Sequence, residues 1–342
     1  MIGFTDHWNM YLNAIPPEKQ DLYFREEYVK LYEKDNERAC SFVYQDKGGT
    51  FVFPFLRRRF IYKGNTYYDF ETAYGYGGPV SNNYNEDFMT AALKTMASIA
   101  TENNYICGFV RFHPLLDNTK GFDKIGSFAY NRKTIAIDLT GGIDYTWKNE
   151  IHTKNRNVIK KGEKSGLEFI VDNDFHYLKE FESLYNSTMY KLGAKSFYYF
   201  NTSYYEQLRD NIQNRFLGIV KYQNCVVAGA IFFYQYPYGH YHLAGSNKSA
   251  LSISPNNFLL WEAAKEMSNH GIKYFHLGGG TDGTEMNSLY LFKRKFSKHE
   301  YQFLLGKLIF NQKLYDDICE DWINANPDKS VSIGNLLLKY KY

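Results

Sequence analysis

The chain has 342 residues, 44% hydrophobic and 23% charged, which excludes a disordered chain, a collagen-like fibre and a coiled coil and suits two domains. Its 40 Lys and Arg against 37 Asp and Glu leave a net charge of +3, too little to attract DNA by bulk charge, so any polyanion must meet a local basic patch. Aromatic residues reach 18%, with 32 Tyr and 27 Phe, enough to line wet grooves as well as cores.

Cys40, Cys107, Cys225 and Cys319 stand too far apart for a metal or redox motif and read as buried thiols in a reducing compartment. The opening MIGFTDHWNMYLN has no basic region followed by an apolar stretch, and no run approaches the ~20 apolar residues of a membrane span. The expectation is a soluble, cytoplasmic protein without metal.

In chain order, residues 41–56 read as strand, turn, strand about Asp46-Lys47-Gly48-Gly49, followed by a strand around Tyr67–Phe70. The stretch DFETAYGYGGPVSN (69–82) alternates Tyr74 and Tyr76 with Gly75, Gly77 and Gly78. It is either an ordered loop offering hydroxyls and bare backbone to a polar ligand, or a turn packed by tyrosines. A helix from about Glu86 to Glu102 places Phe88, Ala92, Met96 and Ile99 on one stripe, and the strand CGFVRFHPL follows. Arg111 there can fork a phosphate or carboxylate, or pair with Asp69. Residues 134–139, TIAIDL, alternate like a strand that closes the first unit.

Residues 145–165 read as a helix with Lys148, Lys154, Arg156, Lys160, Lys161 and Lys164 against Glu150 and Glu163. Such a run is commonly a solvated face; lying between two repeated units, it is also a patch for sugar-nucleotide phosphates or a tRNA backbone. A strand LEFIV and a helix Phe175–Leu192 come next, with Asp174 as the expected cap and Gly193 as the stop. Strand, turn near Gln223-Asn224 and strand then occupy 217–234. After them come the strand GHYHLAGS, the loop SNKSALSISPNN (246–257), a helix Asn256–Asn269 and the strand KYFHLGGG.

Elements in the second half repeat those of the first, about 170 residues on: Val43 with Ile219, Phe88 with Phe258, Phe109 with Phe275. The chain is therefore α/β (α+β), two copies of one unit. Gly278, Gly280 and Gly283 fit G-x-G-x-x-G, but no βαβ unit with an acidic residue ~20 positions on follows, so a dinucleotide turn is rejected. Instead the glycines let a ligand or another backbone approach a strand end, or form a plain turn. Lys293 in SLYLFKRKFSKHE (288–300) lies near an apolar face, where it can stabilise a developing negative charge or snorkel as a surface lysine. His240, His242 and His276 lack the spacing of a metal set.

The sequence resembles the Fem-type (FemAB-like) aminoacyltransferases that build peptidoglycan bridges, together with their acetyltransferase-like relatives. The resemblance is carried by YGYGGP (74–79), RFHPL (111–115), KNRNVIKKGEKSG (154–166), TMYKLGAKSFYYF (188–200), and FHLGGG followed by SLYLFKRKFS. It implies two tandem GNAT-like domains, 1–143 and 144–342, each a mixed, mostly antiparallel sheet flanked by helices, the second opened by the basic helix. It further implies an N-acyltransferase joining an activated acyl group to an amine of a cell-wall or surface-glycan precursor, nucleotide-linked or lipid-linked. The donor is a co-substrate, not a tightly bound cofactor: aminoacyl-tRNA is favoured over acyl-CoA, because 246–257 lacks the [R/Q]-x-x-G-x-[G/A] loop that cradles a pyrophosphate. Lys293 is the implied charge at the reacting centre. His276 and Asp282 are candidate proton acceptors, with His242 a further one; a phosphate of the acceptor is another. Tyr74, Gly75, Tyr76, Gly77, Gly78, Arg111, Lys154, Arg156, His242, Asn256, Gly278, Gly279 and Gly280 are the expected substrate-binding residues. Peripheral contact with the inner membrane face is compatible with a lipid-linked acceptor. The opposing reading is a non-catalytic module that binds a glycan precursor or RNA.

Overall fold

A computed structural model describes residues 1–342, and its chain divides into two units, 1–131 with 303–342 and 132–302. The expected boundary at 143/144 differs from this division at both ends, for a reason that lies in the strands.

The first unit begins with β1 (Ile2–Thr5), the short helices α1 (Asn9–Leu12) and α2 (Glu26–Lys30), and the strands β2 (Glu37–Asp46), β3 (Gly49–Tyr62), β4 (Asn65–Glu71) and β5 (Val80–Ser81). The β2–β3 turn closes with Asp46 opposite Gly49, Asp46 Oδ1 accepting from the Gly48 amide at 2.7 Å. The β3–β4 turn is Lys63-Gly64, both at positive φ, the geometry a two-residue hairpin needs. Helix α3 (Glu86–Glu102) follows, capped by Asn85, which accepts from the Asp87 amide. Its Phe88, Met89, Ala92, Leu93 and Met96 are buried against Phe53, Phe55 and Phe70 of the sheet. Strand β6 (Tyr105–Arg111) then runs parallel to β4.

The second unit takes up the chain within β7 (Ser127–Asp138) and continues through α4 (Ile143–Asn149), α5 (Thr153–Lys164), β8 (Glu168–Asp172), α6 (Leu178–Lys191) and α7 (Thr202–Asn211). It then repeats the plan of the first: β9 (Arg215–Tyr222), β10 (Cys225–Gln235) and β11 (Tyr238–Ser246) are antiparallel. Helix α8 (Pro255–Asn269) and strand β12 (Tyr274–Gly279) complete the set, β12 parallel to β11. The β9–β10 turn is Gln223-Asn224, again at positive φ. Val43 and Ile219, Phe88 and Phe258, and Phe109 and Phe275 fall in corresponding elements.

Helix α9 (Ser288–Arg294) precedes β13 (Glu300–Ile309), and α10 (Gln312–Ala325) and α11 (Pro327–Ile333) end the chain. TIAIDL does not close the first unit. Residues 134–138 pair antiparallel with β12 of the second unit, whereas β13 pairs antiparallel with β6 of the first through Leu305–Ile309. Each half of the sequence thus supplies the strand beside the other half's parallel pair. This exchange puts 303–342 with the first unit.

Three local expectations are corrected. The basic stretch is two helices broken at 150–152, not one. The helix expected from Phe175 starts at Leu178, because Phe175 holds a left-handed φ of 58° and Asp172, not Asp174, accepts from the Tyr177 amide at 2.8 Å. Gly193 follows that helix at φ 60°, as a C-terminal stop requires. Cys40, Cys107 and Cys319 are buried thiols but Cys225 is exposed. No helix is long and apolar enough to cross a membrane.

Helix α6 packs directly on β11, and Gly245 is the point of closest approach. A methyl group there would lie 2.5 Å from the Tyr185 amide nitrogen and 2.6 Å from the Leu184 carbonyl carbon, both backbone atoms that cannot rotate aside. Gly245→Ala should therefore lower the unfolding free energy by about 1–3 kcal/mol, the usual cost of overpacking, read from urea denaturation.

Candidate active site

Strand β12 ends in Gly278 and Gly279, and Gly280 follows directly. Gly278 takes φ 76°, and the pairing with β7 is bulged between His276 and Gly278. A side chain at Gly279 would meet the Lys133 carbonyl oxygen of β7 at 2.7 Å, and one at Gly280 would collide with Asn287 Oδ1. Here the glycines admit the protein's own backbone and one of its own side chains.

Lys293, on α9, is buried, with its ammonium turned to this strand end. Nζ donates to the Gly279 carbonyl at 2.7 Å and lies 5.8 Å from the centroid of the Tyr241 ring. Arg132, on β7, donates through Nη1 to the next carbonyl, that of Gly280, at 2.6 Å. Burial, and secondarily the like charge of Arg132, push the Lys293 pKa down to about 7.

The histidines occupy the other side of the sheet. Phe275 and Leu277 of β12 lie in the core with α8, and Tyr241 of β11 packs against that same core. Strand alternation sends His276, His240 and His242 to the opposite face. His240 and His276 are register partners with ring centroids 5.7 Å apart. His242 Nε2 is 2.9 Å from Tyr204 Oη, and burial, helped by His240, pushes its pKa down to about 3, so its imidazole is neutral at physiological pH. Asp282 is exposed: Oδ1 accepts from the Thr284 amide and hydroxyl, Oδ2 accepts from Asn287 Nδ2, and these bonds hold its carboxyl below the ordinary range. A carboxylate so satisfied is a weak base. Asn256, in the first turn of α8, donates to Ser246 Oγ at 3.0 Å.

Of the other expected binding residues, Arg156, Arg111 and the 74–78 loop are engaged by their own unit. Arg156 Nη1 donates to the carbonyls of Trp147, Lys148 and Ile151, so its guanidinium caps the end of α4. Lys154 is exposed at the start of α5. Arg111 pairs with Glu71 at 2.9 Å and donates to the Thr72 carbonyl, while Asp69 pairs with Arg58 and not with Arg111. In the loop 74–78, Gly77 exchanges backbone bonds with Arg111 and His113, the Tyr74 carbonyl accepts from Tyr28, and Tyr76 packs edge-on to Tyr23 and Phe303. Gly75 and Gly78 both take φ 95°. These contacts pack the loop by its tyrosines, as one of the two readings expects.

Three residues of consequence escaped the sequence reading. Arg132 gave no signal, since nothing local tells that its strand joins the second unit's sheet. Asn287 caps α9, accepting from the Leu289 and Tyr290 amides, and an Asn before SLYLF is a recognisable helix start. His113 forms a fully buried pair with Asp21 at 2.7 Å, across 92 residues that no pattern connects.

Residues 151–293 match the family model described as the acetyltransferase (GNAT) domain. Among solved structures the chain resembles FemX with a TM-score of 0.72 at 15% identity, covering 91% of this chain and 97% of that one. It resembles L-PGS from Bacillus licheniformis with a TM-score of 0.56 at 15% identity, over 89% and 91% of the two chains. It also resembles a conserved protein of unknown function from Bacteroides thetaiotaomicron, with a TM-score of 0.57 at 11% identity, over 90% and 100%. No curated protein matches the chain in sequence. Residues 151–293 form a GNAT acetyltransferase domain, and the chain is an acyltransferase. Its fold, read over both units, is the FemAB-like one.

The lysine carries a stability signature. Its folded pKa, about 7, lies below that of an unfolded chain, so the folded state binds fewer protons between about 7 and the ordinary lysine range. Stability must then rise with pH across that window. Urea unfolding of wild type and Lys293→Met at several pH values should show the wild type gaining on the variant as pH climbs above 7.

Proposed function

We propose that the chain is an N-acyltransferase that forms an amide between an activated acyl donor, aminoacyl-tRNA in preference to acyl-CoA, and an amino group of a cell-wall or surface-glycan precursor. The observation that carries the reading is Lys293: an ammonium shielded from water at a glycine-rich strand end, inside the GNAT domain. In such a transfer the acceptor amine attacks the ester carbonyl, a C–N bond forms and the carbonyl oxygen gains negative charge. When the tetrahedral species collapses, the C–O bond breaks and the leaving hydroxyl takes up a proton as the amine loses one. A cation in a low-dielectric site is worth most at the moment the oxyanion forms, because no solvent has to reorganise. Lys293 supplies that charge in its protonated form. His276 and His242 lie across the sheet from Lys293, His242 with its pKa pushed down to about 3, and Asp282 is held acidic by its hydrogen bonds. Of the candidate proton acceptors, a phosphate of the acceptor substrate is the one these placements favour.

The preference for aminoacyl-tRNA rests on the β11–α8 connection. Residues 248–253 form a 3-10 turn whose start is capped by the Asn247 side chain, Ser254 adopts a left-handed φ of 57°, and α8 opens with Pro255, which has no amide proton. This differs from the all-backbone glycine cradle that receives a pyrophosphate. An acyl-CoA donor remains the second reading, favoured by the GNAT domain itself. The exposed Lys154, Lys160, Lys161 and Lys164 of α5 offer a phosphate-binding face to either donor.

Pooled aminoacyl-tRNAs and acyl-CoAs offered with amino-sugar nucleotides and lipid-linked peptidoglycan precursors should give an amide product visible by mass spectrometry, sensitive to RNase. Lys293→Ala should lower turnover about 10²–10³-fold while folding and acceptor binding persist. Undiminished turnover in that variant removes the lysine from the chemistry, and the absence of turnover with every donor leaves a binding module.

A further inference from the structure

The end of β12 poses a mechanical problem. Gly278, Gly279 and Gly280 have no side chains to fix their peptide planes, and glycine loses more freedom on ordering than any other residue. Yet the Gly279 carbonyl must point at Lys293 Nζ, and the Gly280 carbonyl at Arg132. Something outside the strand has to hold the turn and the helix bearing Lys293 in one relative position.

Asn287 is the side chain placed to do so. It is 8% exposed and touches both parts at once. Toward the helix, Oδ1 accepts from the amides of Leu289 and Tyr290 at 3.1 and 3.2 Å, fixing where α9 begins. Toward the turn, Nδ2 donates to Thr281 Oγ1 at 2.6 Å and to Asp282 Oδ2 at 2.9 Å, and Oδ1 packs against Gly280 so closely that no Cβ fits there. Asp282 is itself anchored by Thr284, so the turn and the helix start are tied through one amide.

We propose that Asn287 is a positioning residue of the acyl-transfer site: it clamps the Gly279–Asp282 turn to the start of α9 and so seats Lys293 Nζ on the Gly279 carbonyl. The inference rests on the reading of Lys293 given above and adds to it the residue that sets the lysine's place. It also divides the work of the amide unevenly: Nδ2 makes the two short bonds to the turn, while Oδ1 caps the helix and accepts one long bond, 3.4 Å, from the Thr281 amide. The oxygen caps the helix, a task serine or aspartate also performs. The nitrogen gives two donor bonds to the turn, which aspartate, having no donor, cannot make and serine, with a single O–H on a shorter side chain, cannot reproduce as a pair.

The test separates those duties. In Asn287→Ser the cap is kept and the two donated bonds are lost; Thr281→Val removes one of the same bonds from the turn side and leaves the α9 cap untouched. Lysine labelled at Cε reports the titration of each amine by NMR without any substrate, and the Lys293 signal is the one absent from Lys293→Ala. In both clamp variants the Lys293 titration should move upward by roughly one unit or more, as the freed ammonium finds water. With the donor and acceptor identified above, kcat should fall about 10- to 100-fold, with KM changed far less, because the loss is one of geometry. Thermal midpoints close to the wild type show that the fold survives.

Unchanged titration and kcat in the clamp variants overturn the inference, as does a fall in thermal stability alone. If Asn287→Ser does not fold, Thr281→Val decides by the same two readings. Retained transfer in Lys293→Ala is the different failure, that of the catalytic reading itself, and it is visible whatever Asn287 does.

Discussion

A positive charge withdrawn from water is the constraint around which the second unit is arranged. Lys293 is buried beside a carbonyl dipole and the face of a tyrosine, and the one charged group acting on it, Arg132, repels it. Burial of an ammonium is expensive, and proteins meet that cost by hydrogen bonding or by letting the group approach neutrality. Both occur here. The details at the end of β12 follow from it: glycines where β7 and Asn287 come close, a left-handed Gly278, and a short helix capped so that its start is fixed.

The first unit shows the same scaffold without that tension. Its parallel pair β4 and β6 also ends in charged residues, Glu71 and Arg111, but these pair with each other, and Lys341 of the C-terminal segment bridges Glu71 and Glu37. Arg111 and Lys341 together hold Glu71 well down, at about 2, despite its burial. Buried charges that are fully paired settle a structure, whereas a lone one is available for chemistry. The duplication has thus left one unit with a closed ion network and the other with an uncompensated lysine.

Much of this was legible in the residues. The hairpin turns at Asp46–Gly49 and Gln223-Asn224, the α3 stripe and the offset between the halves are local patterns, and the structure realises them because each needs only its own neighbours in sequence. What could not be read depends on partners distant in the chain. TIAIDL has the alternation of a strand but carries no mark of which sheet it joins. The basic stretch shows its charge but not that Arg156 turns back to cap α4, which is why its guanidinium looked available for phosphate. At the candidate site, Lys293 could be singled out by its place beside an apolar face and a glycine run. Its depressed pKa, its carbonyl partner and the role of Arg132 arise only when β7, β12 and α9 are brought together.

The strand exchange bears on how the chain is made. Strand β6 is complete early in synthesis, but its partner β13 lies nearly two hundred residues downstream. At ribosomal rates of about 5–20 residues per second, the N-terminal sheet waits with an unpaired edge for something like ten seconds or more after β6 emerges. Neither half, translated by itself, holds a full complement of strands, so the two repeats cannot be parted at the midpoint of the gene and remain intact modules.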